Sequence, residues 1–112
     1  MTDKINFNQR KKSQNALNKF ENYYGRKFQA LIVVRMKGNN HSLVYKKQDV
    51  YILRGQYADH NMPYVVALDQ TYDSQYTVIE NNGDCLTIKL LDRTIDILPQ
   101  NDEESEEETA YE

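Results

Sequence analysis

Between Ser13 and Tyr24 the apolar residues Ala16, Leu17, Phe20, Tyr23 and Tyr24 recur at three- and four-residue intervals, a spacing that puts them on one face of a helix. Ser13 is a suitable N-cap and Gly25 a suitable C-terminal stop, so the pattern predicts an amphipathic helix over residues 13–24. The period then changes. KFQALIVVRMK carries apolar groups on both alternating faces, Phe28, Ala30, Ile32, Val34 and Met36 against Leu31 and Val33, and reads as a central strand. GNNHS is a turn by composition, and LVYKKQDVYILR continues as extended chain with a bulge expected near Gln48 and Asp49. GQYADHNMP is a loop, YVVAL a short strand and DQTYDS a second polar loop. QYTVIE and CLTIKLL flank Asn82-Gly83, which predicts a type I′ hairpin turn. TIDIL is the last strand and ends at Pro99.

One helix followed by five or six short strands predicts a mainly β (α+β) domain over residues 13–99. The expected architecture is a small antiparallel β-barrel or bent sheet, OB-like or SH3/Sm-like, capped by the N-terminal helix. The helix-first order is closer to the Sm-like arrangement, because an OB fold carries its helix between the third and fourth strands, where this chain has only GQYADHNMP. The 112 residues suffice for one modest core. Residues 1–12 are largely polar and read as a basic flexible arm. The chain contains no run of about 18 apolar residues that could span a bilayer, and residues 1–12 lack the apolar segment of a secretory signal. The single cysteine, Cys85, leaves no internal disulfide and fits a reducing compartment, so a cytoplasmic protein is expected.

The formal net charge of −3 hides a segregation. Residues 1–37 hold nine Lys and Arg against Asp3 and Glu21, whereas residues 101–112, NDEESEEETAYE, hold seven carboxylates and no base. So acidic a segment, residues 100–112 in the domain division, has too little apolar area to offset its ordering entropy and reads as a disordered tail.

Catalytic chemistry finds little support. His41 and His60 lie in predicted loops without a His or Cys at zinc-ligand spacing, and Asp59 beside His60 reads as an ordinary solvated neighbour. Cys85 opens an apolar strand next to Asp84, which favours an inert thiol over a nucleophile. Asp69 and Asp73 flank a loop but lack a nearby lysine to complete a nuclease-like set. No phosphate-binding glycine loop, G-x-S-x-G elbow or H-E-x-x-H occurs. A non-enzymatic protein without cofactor or metal is expected.

Recognition is better supported. Nine tyrosines and three phenylalanines accompany no tryptophan, and tyrosine joins a flat apolar face to a polar tip. Tyr45, Tyr51 and Tyr57 interleave with Lys46, Lys47 and Arg54, while Arg35 and Lys37 end the preceding strand across the GNNHS turn. Strand alternation places Tyr45 and Lys47 on one face and Lys46 on the other. Rings edged by cations suit single-stranded DNA or RNA, whose bases stack and whose phosphates seek positive charge. Arg10, Lys11 and Lys12 of the arm are further candidates for phosphate contact.

Glu103, Glu104, Glu106, Glu107, Glu108 and Tyr111 would then compete with phosphates for the basic surface, or bind a protein partner. A small barrel joined to an acidic tail is similar in layout to the single-stranded DNA-binding proteins of bacteria and their phages, whose tails recruit replication enzymes. The family tail ends on an apolar or aromatic residue, whereas here Tyr111 precedes Glu112. The alternative reading is a phage or mobile-element inhibitor of the anti-CRISPR or DNA-mimic type. Its acidic loops (Asp69, Asp73, Glu80, Asp84) and tail would stand in for phosphates on a host enzyme. A third is a homo-oligomeric assembly subunit with tyrosines buried at its contacts.

Overall fold

The computed structural model describes residues 6–38, 41–55 and 62–100. Helix α1 (Phe7–Tyr24) precedes seven strands: β1 (Lys27–Met36), β2 (Ser42–Arg54), β3 (Pro63–Ala67), β4 (Gln70–Asp73), β5 (Val78–Asn81), β6 (Leu86–Lys89) and β7 (Arg93–Pro99). They form one antiparallel sheet in the order β4-β3-β2-β1-β7-β6-β5. The mainly β class with a helical cap is as expected, in its bent-sheet form. The extra strand is β4, which occupies the polar stretch DQTYDS.

A short link dictates the bend. Ser74–Thr77 joins β4 to β5, the two opposite edges of the sheet. Laid flat, seven strands at a spacing of about 4.8 Å would separate those edges by about 29 Å. Five Cα steps from Asp73 to Val78 reach about 18 Å at most, so the sheet has to curl into a half-barrel. Asp73 Oδ1 turns the link by accepting from the backbone N–H groups of Gln75 and Tyr76 at 2.8 and 3.2 Å.

Helix α1 covers the concave side toward β5, β3 and β6. It begins at Phe7, with Asn6 as its N-cap accepting from the Gln9 N–H at 2.8 Å, and not at Ser13. Arg10, Lys11 and Lys12 are therefore helical residues rather than parts of a flexible arm. Ser13 is instead buried on the stripe with Ala16, Leu17 and Phe20. Its Oγ accepts from the Ile79 N–H at 3.0 Å and donates to the Thr77 carbonyl at 3.4 Å, tying the helix to the open edge of β5. Tyr23 falls off the stripe and is 80% exposed. Gly25 ends the helix as expected, at φ +94°, with its N–H on the Glu21 carbonyl at 2.7 Å.

Leu17 and Phe20 meet Ile32, Ile52, Val65, Ile79, Leu86, Ile88, Ile95 and Ile97, all essentially inaccessible to solvent. On β1 the buried set is Ala30, Ile32 and Val34, while Leu31 and Val33 on the convex face are half-buried. Two turns depart from expectation. The Asn82 N–H bonds to the Cys85 carbonyl at 2.8 Å, which makes Gly83, at φ +86°, and Asp84 the central pair of the β5–β6 turn. Paired positive-φ residues occur instead at Leu68 and Asp69 (φ 53° and 62°), between the β3–β4 partners Ala67 and Gln70.

Substituting Ser13→Ala would leave the buried Ile79 N–H and Thr77 carbonyl without this partner. We expect a loss of about 1–3 kcal/mol in urea unfolding, with an unchanged slope against denaturant.

Candidate nucleic-acid interface

The sequence places its ring-and-cation cluster on β2, and a bulge there decides where each side chain goes. β1 and β2 are in register from Lys27↔Tyr51 to Ala30↔Gln48, and again from Ile32↔Tyr45 to Arg35↔Ser42. Lys46 and Lys47 thus stand together opposite Leu31, and Lys47 takes a left-handed φ of 54°. The irregularity falls just before Gln48, near the place where a bulge is expected from the sequence. An extra residue reverses the alternation of side chains beyond it. Tyr45 pairs with the buried Ile32 and faces inward, whereas Tyr51 pairs with Lys27 on the convex side, where the lysine Nζ lies 5.6 Å from its ring centroid. The two side chains therefore leave opposite faces of β2, although both border the same cleft.

The cations around them are unequally available. Arg35 is ion-paired with Asp96, whose other oxygen accepts from Thr87 Oγ1 at 2.9 Å. Arg54 reaches back to α1, where it pairs with Glu21 and donates to Asn18 Oδ1 at 2.8 Å. Lys37, Lys46 and Lys47 are exposed. Lys37 lies near Asp92, whose carboxyl is held low mainly by the Arg93 guanidinium bonded to it. Tyr57 and the tail residues Glu103, Glu104, Glu106, Glu107, Glu108 and Tyr111 lie outside the described residues.

Where the helix leaves the concave side uncovered, a cleft of about 1010 Å³ opens. Val34, Leu43, Leu90 and Ile95 line it together with the rings of Tyr45 and Tyr72. Burial pushes the Tyr72 phenol up, opposed by the nearby Arg93. Lys47 and Arg93 share the cleft with Asp49, Asp69 and Asp92, so its charges cancel to a slight acidic excess. Such a cleft accepts an apolar or aromatic group but gives a polyanion no net attraction.

A different surface, bordered by Glu80 and Asp84, collects positive charge that no ion pair neutralises among the described residues. Phe7, Lys11, Asn15, Lys19 and Tyr23 are spaced four residues apart along α1, and all five are exposed, Phe7 at 63% and Tyr23 at 80%. They form one ridge that rises about 24 Å along the axis and winds about 160° around the helix, so that the two rings stand on different sides of it. Lys12, Asn8 and Asn22 flank it. Arg10 and Lys11 lean over the Phe7 ring at 5.7 and 5.6 Å from its centroid. The single carboxylate of α1, Glu21, is turned toward Arg26 (3.0 Å) and Arg54. Among the described residues, no carboxylate lies within ion-pair distance of Arg10, Lys11, Lys12 or Lys19.

Of the residues singled out on sequence, Lys11 lies on this ridge, with Arg10 and Lys12 on either side of it in separate grooves, whereas Arg35, Tyr51 and Arg54 lie elsewhere. Lys19, Tyr23 and Phe7 lie on the same ridge and were not singled out on sequence. The signal that could have found them is the four-residue ring-cation-amide-cation-ring pattern, hidden because the helix seemed to begin at Ser13.

Among the described residues no three of His, Cys, Asp and Glu gather as metal ligands, and no helix is long and apolar enough to cross a membrane. Burial pushes the Cys85 thiol up, against a weaker opposing contact at 3.7 Å with Thr87 Oγ1. Alkylation of Cys85 by iodoacetamide at pH 8 should therefore run slower in the folded protein than in 6 M urea, where the thiolate fraction and access both rise. Equal rates would show an open, ordinary thiol.

No protein-family model, curated protein or solved structure matches this chain.

Proposed function

We propose that this protein binds single-stranded nucleic acid along the exposed ridge of α1. Lys11, Lys12 and Lys19 neutralise phosphates, Phe7 and Tyr23 stack bases at the two ends, and Asn15 offers a donor and an acceptor between them. The observation that carries the reading is the ridge itself: two rings more than half exposed, joined by cations that no carboxylate of the described fold neutralises.

Helix stability does not account for this charge pattern. The first turn of α1 contains no acid and the last turn no base, while Arg10, Lys11 and Lys12 crowd the N-terminal half, where the helix dipole already presents positive potential. Cations so placed repel one another and the dipole. A bound polyanion relieves both repulsions. Exposed rings of this size likewise gain nothing from solvent, whereas each base stacked on one contributes about 1–3 kcal/mol.

The test is fluorescence anisotropy of a labelled oligothymidine, read over a salt series in parallel with a duplex of equal length. We expect tight single-strand binding at low salt that weakens linearly in log–log form. Lys11→Ala and Lys19→Ala should each flatten the salt dependence by about 0.7, the single-strand slope for one phosphate contact. Tyr23→Ala should cost about 1–3 kcal/mol and leave that slope unchanged. Lys46→Ala with Lys47→Ala, on the β2 bulge, should have little effect. Absence of binding at low salt, or equal affinity for duplex, overturns the proposal.

A further inference from the structure

Taking α1 as the nucleic-acid surface, we propose that the same ridge is the docking site of this chain's own C-terminal segment, residues 101–112, which competes there with nucleic acid. Charge complementarity and chain reach support the assignment. The ridge offers Lys11, Lys12 and Lys19 without local carboxylate partners, and the segment carries seven carboxylates, no base and one ring, Tyr111. No other stretch of the chain matches the ridge so closely in opposite sign.

The fold roots that segment at the correct end of the helix. The Gln100 N–H bonds to the Gln29 carbonyl at 2.8 Å, beside the pair Ala30↔Pro99. Gln29 follows the last helical residue, Tyr24, by only five residues, so its Cα lies within about 18 Å of the C-terminal end of α1. Twelve extended residues reach about 40 Å. With the strand spacing of about 5 Å between Gln100 and Gln29 added to the crossing, about 17 Å of chain remains to run back along α1, whose 18 residues are about 27 Å long, which brings the segment past Lys19 toward Lys12.

The direction of that run is set by charge. The last turn of α1 has no base to hold carboxylates, and its dipole repels them, while Lys19 lies one turn further in and Arg10, Lys11 and Lys12 lie in the N-terminal half. Glu103 to Glu108 are thereby drawn past Tyr23 toward Lys19 and Lys12, with Tyr111 following over the ridge. Tethering holds the segment at an effective concentration on the order of millimolar. That suffices to exclude weak anions from the ridge while a longer polyanion displaces it. Lys46 and Lys47, opposite Leu31 and so only two strands across from the root of the segment, are a nearer competing destination, but Asp49, Asp69 and Asp92 around that cleft oppose further negative charge.

The experiment compares ¹⁵N-labelled full-length protein with the full-length variant carrying Glu103→Gln, Glu104→Gln, Glu106→Gln, Glu107→Gln and Glu108→Gln. We expect backbone amide shifts to differ at Lys11–Tyr23, the difference to fade with added salt, and the variant to bind oligothymidine several-fold more tightly at low salt. Unchanged α1 amides, or shifts confined to the β2 bulge, overturn the docking site whatever the protein binds. Shifted α1 amides with no oligonucleotide binding by either form would leave docking standing and sink the nucleic-acid reading alone.

Discussion

Four residues govern the shape of this protein. Because Ser74–Thr77 must join strands at opposite edges of a seven-stranded sheet, the sheet cannot lie flat, and its curl creates both the concave surface that α1 fills and the cleft it leaves open. Ser13 secures the arrangement from the helix side. One buried hydroxyl serves the Ile79 N–H and the Thr77 carbonyl, so the link and the edge strand are held by the element that covers them. Around that anchor, Leu17 and Phe20 bury against isoleucines from β1, β2, β5, β6 and β7. The hydrophobic effect then stabilises a curl that chain length imposes.

The same geometry sorts the charges. Cations projecting from the sheet meet carboxylates on neighbouring strands: Arg35 with Asp96 across β1 and β7, and Lys89 with Glu80 at 3.0 Å across β6 and β5. Arg54 and Arg26 share Glu21, and Arg93 bonds Asp92 at 3.1 Å. Most of these pairs are exposed and contribute little stability individually. Their effect is to remove Arg26, Arg35, Arg54, Lys89 and Arg93 from competition for a polyanion, while Lys37, Lys46 and Lys47 stay outside such pairs. On the outer face of α1, Glu80 and Asp84 border the grooves beside Lys12 and Lys19 without pairing with them, so these cations stay unneutralised. A protein whose formal charge is −3 consequently presents one strongly basic surface.

The β2 bulge shows how much one residue can change. Tyr45 and Tyr51 are both odd-numbered and would share a face on a regular strand. The extra residue at Lys46–Lys47 turns them to opposite faces of the strand, Tyr51 against Lys27, and they come together only at the border of the cleft. The lysines at the bulge, one of them in a left-handed conformation, also make this stretch of β2 a poor template for pairing with a foreign strand.

Local chemistry alone determined the helix near Leu17 and Phe20, the Gly25 stop, most of the strands, the inertness expected of Cys85 and the opposite charges of the two ends, because periodicity and composition act through nearest neighbours. Tertiary structure decided the rest. Ser13 resembles a cap in isolation, yet it is worth more inside the fold, satisfying two buried backbone groups, and Asn6 takes over the helix start. β4 forms from a polar stretch because pairing with β3 supplies the backbone hydrogen bonds its side chains do not promise. Which cations remain free depends on carboxylates 33 to 61 residues away, as with Arg54 and Glu21 or Arg35 and Asp96. No local pattern encodes those distances, since they arise only when the sheet curls and brings its strands together.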